Sequence, residues 1–241
     1  MRKLLVSVLI LTWVIGFSVS GFAYEGMEVS NGGTITGTIK FAGDPPEPKM
    51  IEPSKDKEAC KAHPDLSLVV SKDTKGIKNA VVYLADIQKG KPQEKPAENP
   101  KFDQKGCEYL PHVLIFPAGT TVDILNSDGI LHNIHTFPQS NANPPINKAQ
   151  PKFKKVMQEK VEQPEVINVK CDVHTWMNAW WVATGHPYYV ATDDNGNFKL
   201  ENVPPGNYKL GIWHETLGST EKDVAVKEKE EVKVDAEMAP K

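Results

Sequence analysis

Residues 171–177 of the chain have the sequence CDVHTWM. This stretch places a thiol, an imidazole and a thioether at intervals of three residues, on Cys171, His174 and Met177. The residues just before it, 165–170, read EVINVK, and their β-branched side chains predict a strand that leads directly into Cys171. Because sulfur and imidazole nitrogen bind soft and borderline metal ions, the sequence predicts a strand that ends in a metal-binding loop.

A further imidazole is available upstream, where residues 126–135 read NSDGILHNIH. His132 and His135 cannot easily serve one site, because a step of three residues along a strand turns the side chain to the opposite face. We predict His132 as the ligand and Asn133 as a hydrogen-bonding support of the ligand loop. Two imidazoles, one thiolate and one weak methionine sulfur form the ligand set of a mononuclear type 1 copper site.

The predicted copper ligands are therefore His132, Cys171, His174 and Met177. The alternative is that Cys171, His174 and Met177 are packed loop residues, since a lone cysteine or methionine in a β-protein usually belongs to the core. Trp176, Trp180 and Trp181 crowd the same region. They either pack in the interior or, for Trp176 above all, form an apolar rim that excludes water from the site.

Composition excludes some classes of function. The 241 residues carry a net charge of -3, and 39% of them are hydrophobic. The hydrophobic fraction is enough for one or two hydrophobic cores. The small net charge gives no sign of nucleic-acid binding.

The first 23 residues are predicted to be a signal peptide. Arg2 and Lys3 precede an apolar stretch over residues 4–19, and small residues stand at 21 and 23, where cleavage is expected after Ala23. We expect a periplasmic or secreted protein that has no membrane span after cleavage. An uncleaved membrane anchor is the alternative.

The chain has three cysteines. An odd number in an exported protein predicts one pair and one special thiol. An oxidising compartment favours a disulfide between Cys60 and Cys107, which leaves Cys171 free. The alternative is a second metal site, because Cys60 and His63 are spaced C-x-x-H, and Cys107 and His112 have four residues between them.

Short β-rich segments separated by turn residues predict an all-β sandwich architecture. Residues 66–70 are expected to be a strand and residues 138–151 a loop. Residues 89–100 carry three prolines among charges and are predicted to be a linker. The predicted strands cover residues 34–41, 66–70, 77–87, 109–116, 120–125, 132–137, 165–170, 179–184, 188–192, 198–200, 207–213 and 224–234.

The two candidate ligand segments together resemble those of the cupredoxins. Residues 126–133 (NSDGILHN) and 171–177 (CDVHTWM) are similar to the plastocyanin and amicyanin branch, and residues 111–122 resemble the strand and turn before its first ligand. The resemblance covers about 101–187 and implies a Greek-key β-sandwich with one type 1 copper. The polar segment between His132 and Cys171 is long for that family.

A second resemblance lies near the carboxyl end. Residues 192–210 (TDDNGNFKLENVPPGNYKL) look like the carboxypeptidase regulatory-like, transthyretin-type sandwich, as do residues 37–39 and 79–84. The resemblance implies a split domain, 34–88 plus 188–235, into which a cupredoxin domain at 101–187 is inserted. In the alternative arrangement, residues 34–88 add strands to the cupredoxin.

The cupredoxin resemblance implies a one-electron carrier with an unidentified redox partner protein, no enzyme activity of its own and an undetermined oligomeric state. Two alternatives remain open. The same ligands could serve periplasmic copper storage or delivery, and the regulatory-like domain could be a carbohydrate- or protein-binding module without a metal.

Overall fold

A computed structural model describes residues 24–240, and the predicted signal peptide lies outside these residues. Within this range the regular structure is all strand, as the sequence predicts. In chain order the strands are β1 (Glu25–Gly26), β2 (Gly33–Phe41), β3 (Met50–Ile51), β4 (His63–Pro64), β5 (Val81–Leu84), β6 (Lys89–Gly90), β7 (Lys101–Lys105), β8 (Glu108–Leu110), β9 (Val113–Pro117), β10 (Thr120–Asn126), β11 (His132–Pro138), β12 (Asn147–Gln150), β13 (Val156–Val161), β14 (Glu165–Lys170), β15 (Asn178–Thr184), β16 (Tyr189–Ala191), β17 (Asn197–Val203), β18 (Gly206–His214), β19 (Gly218–Val226), β20 (Glu231–Lys233) and β21 (Ala236–Met238).

Strands β7–β15 form what we call the central sandwich. One sheet has the order β13-β10-β7-β8 and the other the order β12-β11-β14-β15-β9. Side chains alternate between buried and half-buried along β10, so one face of each strand enters the interior. The resulting core contains Phe102, Phe116 and Trp181, whose rings pack edge to face.

Strands from both ends of the chain form what we call the flanking sandwich. Its sheets have the orders β16-β5-β18-β19 and β17-β2-β20, with β21 also paired to β2. The connection from β16 in one sheet to β17 in the other turns at Gly196, whose φ is +78°. A Cβ there would lie 2.4 Å from the carbonyl oxygen of Ile39, so the turn requires glycine.

The two sandwiches share a third apolar layer. Val81 of the flanking sandwich packs with Val113 and Val182 of the central one. Trp180 and Trp213 add a T-shaped contact across the layer, with ring centroids 5.0 Å apart. In each sandwich, the outer face of one sheet is therefore covered by the other sandwich.

Two local predictions are wrong. Residues 66–70 form turns and one isolated bridge, because Leu68 and Val70 pack against the flanking core without a continuous strand partner. Asn147–Gln150, expected to be loop, is the edge strand β12, which pairs with the first half of β11. It was missed because three of its four residues are exposed and polar or small, so it shows no hydrophobic alternation.

Within residues 24–240 the structure contains no helix that could cross a bilayer.

Candidate metal centre

Four predicted ligands lie at one end of the central sandwich. His132 is the first residue of β11, and Cys171 directly follows β14. His174 and Met177 lie in the loop that joins β14 to β15. All four are buried, with relative exposures of 0–2%. Antiparallel pairing of β11 with β14 brings the two segments together, although His132 and Cys171 are 39 positions apart in the sequence.

Three ligand atoms converge at this end. The Nδ1 atoms of His132 and His174 are 3.0 Å apart, and the Cys171 Sγ lies 3.8 Å from the His174 Nδ1. One atom from each of these residues lies within 4.8 Å of the others. Two imidazole nitrogens and one thiol sulfur in a buried pocket match the donor set that copper and zinc prefer, so the residues fit a copper ion.

A carboxylate holds the far nitrogen of each imidazole. The His132 Nε2 lies 3.0 Å from Asp128 Oδ2, and the His174 Nε2 lies 2.9 Å from Asp56 Oδ2. Asp128 is itself fixed, since it also accepts hydrogen bonds from the backbone N–H groups of Gly106 and Cys107. A carboxylate at Nε2 keeps the proton there and leaves the Nδ1 lone pair free for a metal.

Hydrogen bonds favour the thiolate form of Cys171. Burial raises the pKa of this thiol, but the neighbouring His132 side chain and hydrogen bonds from backbone N–H groups outweigh it and lower the pKa below its usual value. The His174 backbone N–H lies 3.4 Å from the sulfur. A sulfur held as thiolate is the form that binds metals.

The two imidazoles differ in their electrostatics. Burial lowers the pKa of His174, and the hydrogen bond to Asp56 does not fully offset it. For His132 burial also acts to lower the pKa, but Asp128 and Cys171 outweigh it, and the pKa is raised. His132 therefore has the more basic ring of the two, in keeping with its more deeply held carboxylate partner.

The ligand loop is closed on itself by its backbone. The Met177 N–H donates to the carbonyl of His174 at 2.9 Å, and the Cys171 N–H points to the carbonyl of Met177 at 3.4 Å. Met177 is buried in the same hydrophobic core as Cys171. These contacts hold the loop in a compact turn at the end of the sheet.

Asn133 ties the two candidate ligand segments together through hydrogen bonds to Asp172. Its side-chain oxygen accepts the Asp172 N–H at 2.6 Å, and its amide donates to the carboxylate of Asp172. The Tyr109 hydroxyl donates to the Asn133 carbonyl at 2.6 Å. This bridge fixes the segment before His174 relative to β11.

The structure places His135 away from the ligand atoms. Its Nδ1 lies 2.9 Å from Asp172 Oδ1, and its side chain is partly exposed. Thus His132 and His135 lie on opposite faces of β11, as the strand period requires.

The three tryptophans have separate positions. Trp176 is half-buried, donates to the carbonyl of Cys107 at 3.2 Å and has its ring 5.2 Å from that of His174. Trp181 is fully buried in the central core, and Trp180 packs against the layer between the sandwiches. Only Trp176 of the three contacts the imidazole of His174 through its ring.

Residues 49–66, which we call the 49–66 segment, cross the end of the central sandwich beside His174. A disulfide joins Cys60 to Cys107, and the Lys55 ammonium lies 3.3 Å from the carbonyl oxygen of Val173. From this segment Asp56 reaches the His174 Nε2. Because both sulfurs are in the disulfide, they are not available as thiolates for the alternative metal site with His63 and His112.

Sequence reasoning missed the two carboxylates at the imidazoles. Asp128 stood inside the quoted ligand segment, four residues before His132, so its spacing was a usable signal. Asp56 lies 118 residues before His174 and carries no local signal. The neighbouring Cys60 was the only hint that this part of the chain returns to the site.

The remaining histidines make other contacts. The His63 Nδ1 lies 3.1 Å from Glu108, and the His112 Nε2 contacts Glu215 of the flanking sandwich. Burial lowers the pKa of His186 and of His214 to about 4. Within residues 24–240, none of these four belongs to the groups of converging ligand atoms that contain His132 or Cys171.

Comparison with known proteins gives a match to one family model. Residues 179–239 match the family model of the carboxypeptidase regulatory-like domain. No curated protein matches the sequence.

Several solved structures are similar to part of the chain. Amicyanin from Paracoccus versutus is 16% identical, with a TM-score of 0.33, over 43% of this chain and 97% of that one. A purple cupredoxin from Nitrosopumilus maritimus is 21% identical, with a TM-score of 0.27, over 36% of this chain and 100% of that one. A copper-containing nitrite reductase from Thermus scotoductus SA-01 is 19% identical, with a TM-score of 0.31, over 36% of this chain and only 22% of that one.

The family-model match thus lies at residues 179–239, and the two cupredoxin structures are similar to 36% and 43% of the chain.

Proposed function

We propose that the protein is an exported carrier of single electrons that holds one copper ion between His132, Cys171, His174 and Met177. The observation that carries this proposal is the convergence of the His132 Nδ1, the His174 Nδ1 and the Cys171 Sγ, all on buried residues. The carboxylates at both Nε2 atoms orient the rings for such binding.

A bound copper ion supplies a one-electron couple between its two oxidation states. The chain supplies a rigid and dry ligand set. Hydrogen bonds close the loop at Met177, and the bridge through Asn133 fixes it to β11. A site whose ligands hardly move between two charge states is suited to fast electron transfer, because little reorganisation is needed.

The closed pocket favours electron transfer over delivery of the metal. His132 and His174 are 0% exposed, and the 49–66 segment covers the side of His174. Copper delivery requires ligands that a receiving protein can reach, and substrate turnover requires an open coordination position. We therefore propose no independent enzyme activity.

We further propose a location in the cell envelope, periplasmic or secreted. The disulfide between Cys60 and Cys107 supports it, since such bonds persist in oxidising compartments. The partner is proposed to be a redox protein and not a nucleic acid.

Metal analysis together with a visible spectrum of the exported protein tests this function. We expect one copper per chain, an intense blue thiolate-to-copper absorption that disappears on reduction, and slow loss of copper to a chelator. The variant Cys171→Ser should lose the absorption while its far-UV circular dichroism is unchanged.

A colourless protein with bound copper would refute the type 1 assignment. Rapid loss of copper to the chelator would favour storage or delivery instead.

A further inference from the structure

We propose that an acidic redox protein docks on a surface next to His132, which we call the Phe153 surface. It consists of three exposed apolar side chains and three lysines, namely Leu131, Phe153, Val156, Lys152, Lys154 and Lys155. The inference rests on the proposed function, since it names where electrons enter the site and what kind of partner brings them.

Hydrogen bonds bring together the two chain segments that build this surface. Asn126 donates through its side chain to the carbonyls of Ile130 and Gln150, and its backbone N–H donates to the carbonyl of Lys155 at 2.9 Å. The Gln150 amide donates to the carbonyl of Lys154 at 3.0 Å. The loop before His132 and the loop between β12 and β13 are thus held side by side.

The surface is apolar at its centre. Phe153 is 81% exposed, the highest value among the large hydrophobic side chains of residues 24–240, and Leu131 and Val156 are about half exposed. Folding gains nothing from a phenylalanine left in water, so its position favours contact with another molecule. An aromatic anchor with apolar neighbours is a common centre of a protein interface.

The positive charge of the Phe153 surface favours an acidic partner. Lys152, Lys154 and Lys155 surround Phe153 in sequence, and none of them forms a salt bridge within the described part of the chain. Three free ammonium groups in one short loop create a positive field. An acidic partner would be steered toward them, and a basic one repelled.

The covalent route from this surface to a candidate ligand is short. Leu131 is bonded directly to His132, so one peptide unit connects the surface to a ligand. Both imidazoles are 0% exposed and have a carboxylate at Nε2. The side of His174 is occupied by the 49–66 segment, which supplies Asp56. In the proposed step, one electron would pass from the reduced partner to the copper ion that His132 and Cys171 would hold, with no bond made or broken.

The first test maps the surface with hexacyanochromate(III), a paramagnetic trianion, on the ¹⁵N-labelled chain, both metal-free and copper(I)-loaded. We expect amide signals of residues 129–131 and 152–155 to broaden first. Because the metal-free chain is included, this result does not depend on the proposed function. Broadening that begins elsewhere, or that spreads evenly over all lysines, would overturn the proposal.

The second test follows reduction of the copper(II) protein by reduced flavodoxin, an acidic one-electron donor, in stopped-flow experiments at low ionic strength. The triple change of Lys152, Lys154 and Lys155 to Gln should slow the second-order rate by about tenfold. Its control changes Lys40, Lys222 and Lys229 of the flanking sandwich to Gln, which alters net charge equally and should leave the rate within about twofold.

A matched pair of aromatic variants tests the apolar centre. Phe153→Ser should slow the reaction with flavodoxin, whereas Phe137→Ser, at a residue 40% exposed on β11, should not. Equal rates in these two variants, or in the two lysine triples, would overturn the docking site while leaving the copper assignment intact.

Discussion

Asp128 accepts three hydrogen bonds at the candidate metal centre. Its carboxylate binds the Nε2 of His132 and two backbone N–H groups at once. An asparagine amide cannot accept all three hydrogen bonds. We therefore expect Asp128→Asn to weaken copper binding by about 10- to 100-fold, as measured by titration against a chelator.

The control for this variant is Asp44→Asn, because the Asp44 side chain is fully exposed. It should bind copper as the unchanged protein does. Equal affinity in Asp128→Asn and the unchanged protein would show that Asp128 does not orient the ring of His132.

Glu165 makes the stability of the central sandwich depend on pH. Burial raises the pKa of its carboxyl, but hydrogen bonds from Asn143 and Ser140 outweigh it and lower the pKa to about 2. The carboxylate therefore contributes stability in full above its ordinary pKa of 4.5, and this contribution is lost as the pH falls toward 2.

We expect Glu165→Gln to lower the free energy of unfolding by about 1–3 kcal/mol at pH 7. The difference from the unchanged protein should shrink between about pH 5 and pH 2. Urea unfolding over this range measures it, with the exposed Glu162→Gln as control. A difference that stays constant with pH would contradict the assignment.

At the scale of single residues, short spacing was informative and long-range proximity was not. The Cys171, His174 and Met177 pattern and the strand period at His132 pointed to the residues that the structure gathers at one end of the sandwich. Asp56 could not be predicted, because nothing in a sequence marks which residue will return across 118 positions. The identity of the metal ligands stays a prediction until copper is measured.

Among the elements, the 49–66 segment has little regular structure of its own, only the two-residue strands β3 and β4. Its position is set by the disulfide and by contacts of its side chains. Opening a disulfide that closes a loop of 47 residues should lower the free energy of unfolding by about 4 kcal/mol on the chain-entropy estimate.

The double variant Cys60→Ser and Cys107→Ser tests this, with guanidinium unfolding as the measurement. Reduction of the unchanged protein with dithiothreitol should give the same loss, which serves as the control. A loss below about 1 kcal/mol would mean that the segment keeps its place without the bond.

Prediction of the elements succeeded where hydrophobic alternation was strong, as in β2 and β10. It failed at β12, which is an edge strand with polar side chains and is held by its partner β11. It also failed at residues 66–70, where an apolar run packs on a core without joining a sheet. In both cases a neighbour far along the chain decides the structure.

For the whole molecule, the apolar layer around Val81, Val113 and Val182 couples the two sandwiches. Trp213 contributes to this layer through its contact with Trp180. We expect Trp213→Ala to lower the free energy of unfolding by about 2 kcal/mol, with unfolding still in one transition by calorimetry.

Trp213→Phe keeps most of the apolar contact and should lose clearly less stability than Trp213→Ala. Two separate transitions in the unchanged protein, only one of them shifted by the substitution, would show that the sandwiches unfold independently.

The all-β architecture was predictable, because turn residues divide the chain into many short β-rich segments. The division into domains at 34–88 plus 188–235, 89–100 and 101–187 stays a prediction. The layer between the sandwiches was not foreseen, since a residue such as Val182 looks like any core residue in sequence.

The disulfide between Cys60 and Cys107 also bears on the order of events during maturation. Once it forms, the 49–66 segment is anchored across the His174 side of the pocket. In the proposed copper protein, a chain whose Cys60 and Cys107 are still reduced is expected to let this segment move aside and to admit the metal faster. Copper added before oxidation should therefore enter faster than copper added afterwards, as stopped-flow absorbance would measure. Formation of the disulfide after metal binding would then hold the bound copper in its site.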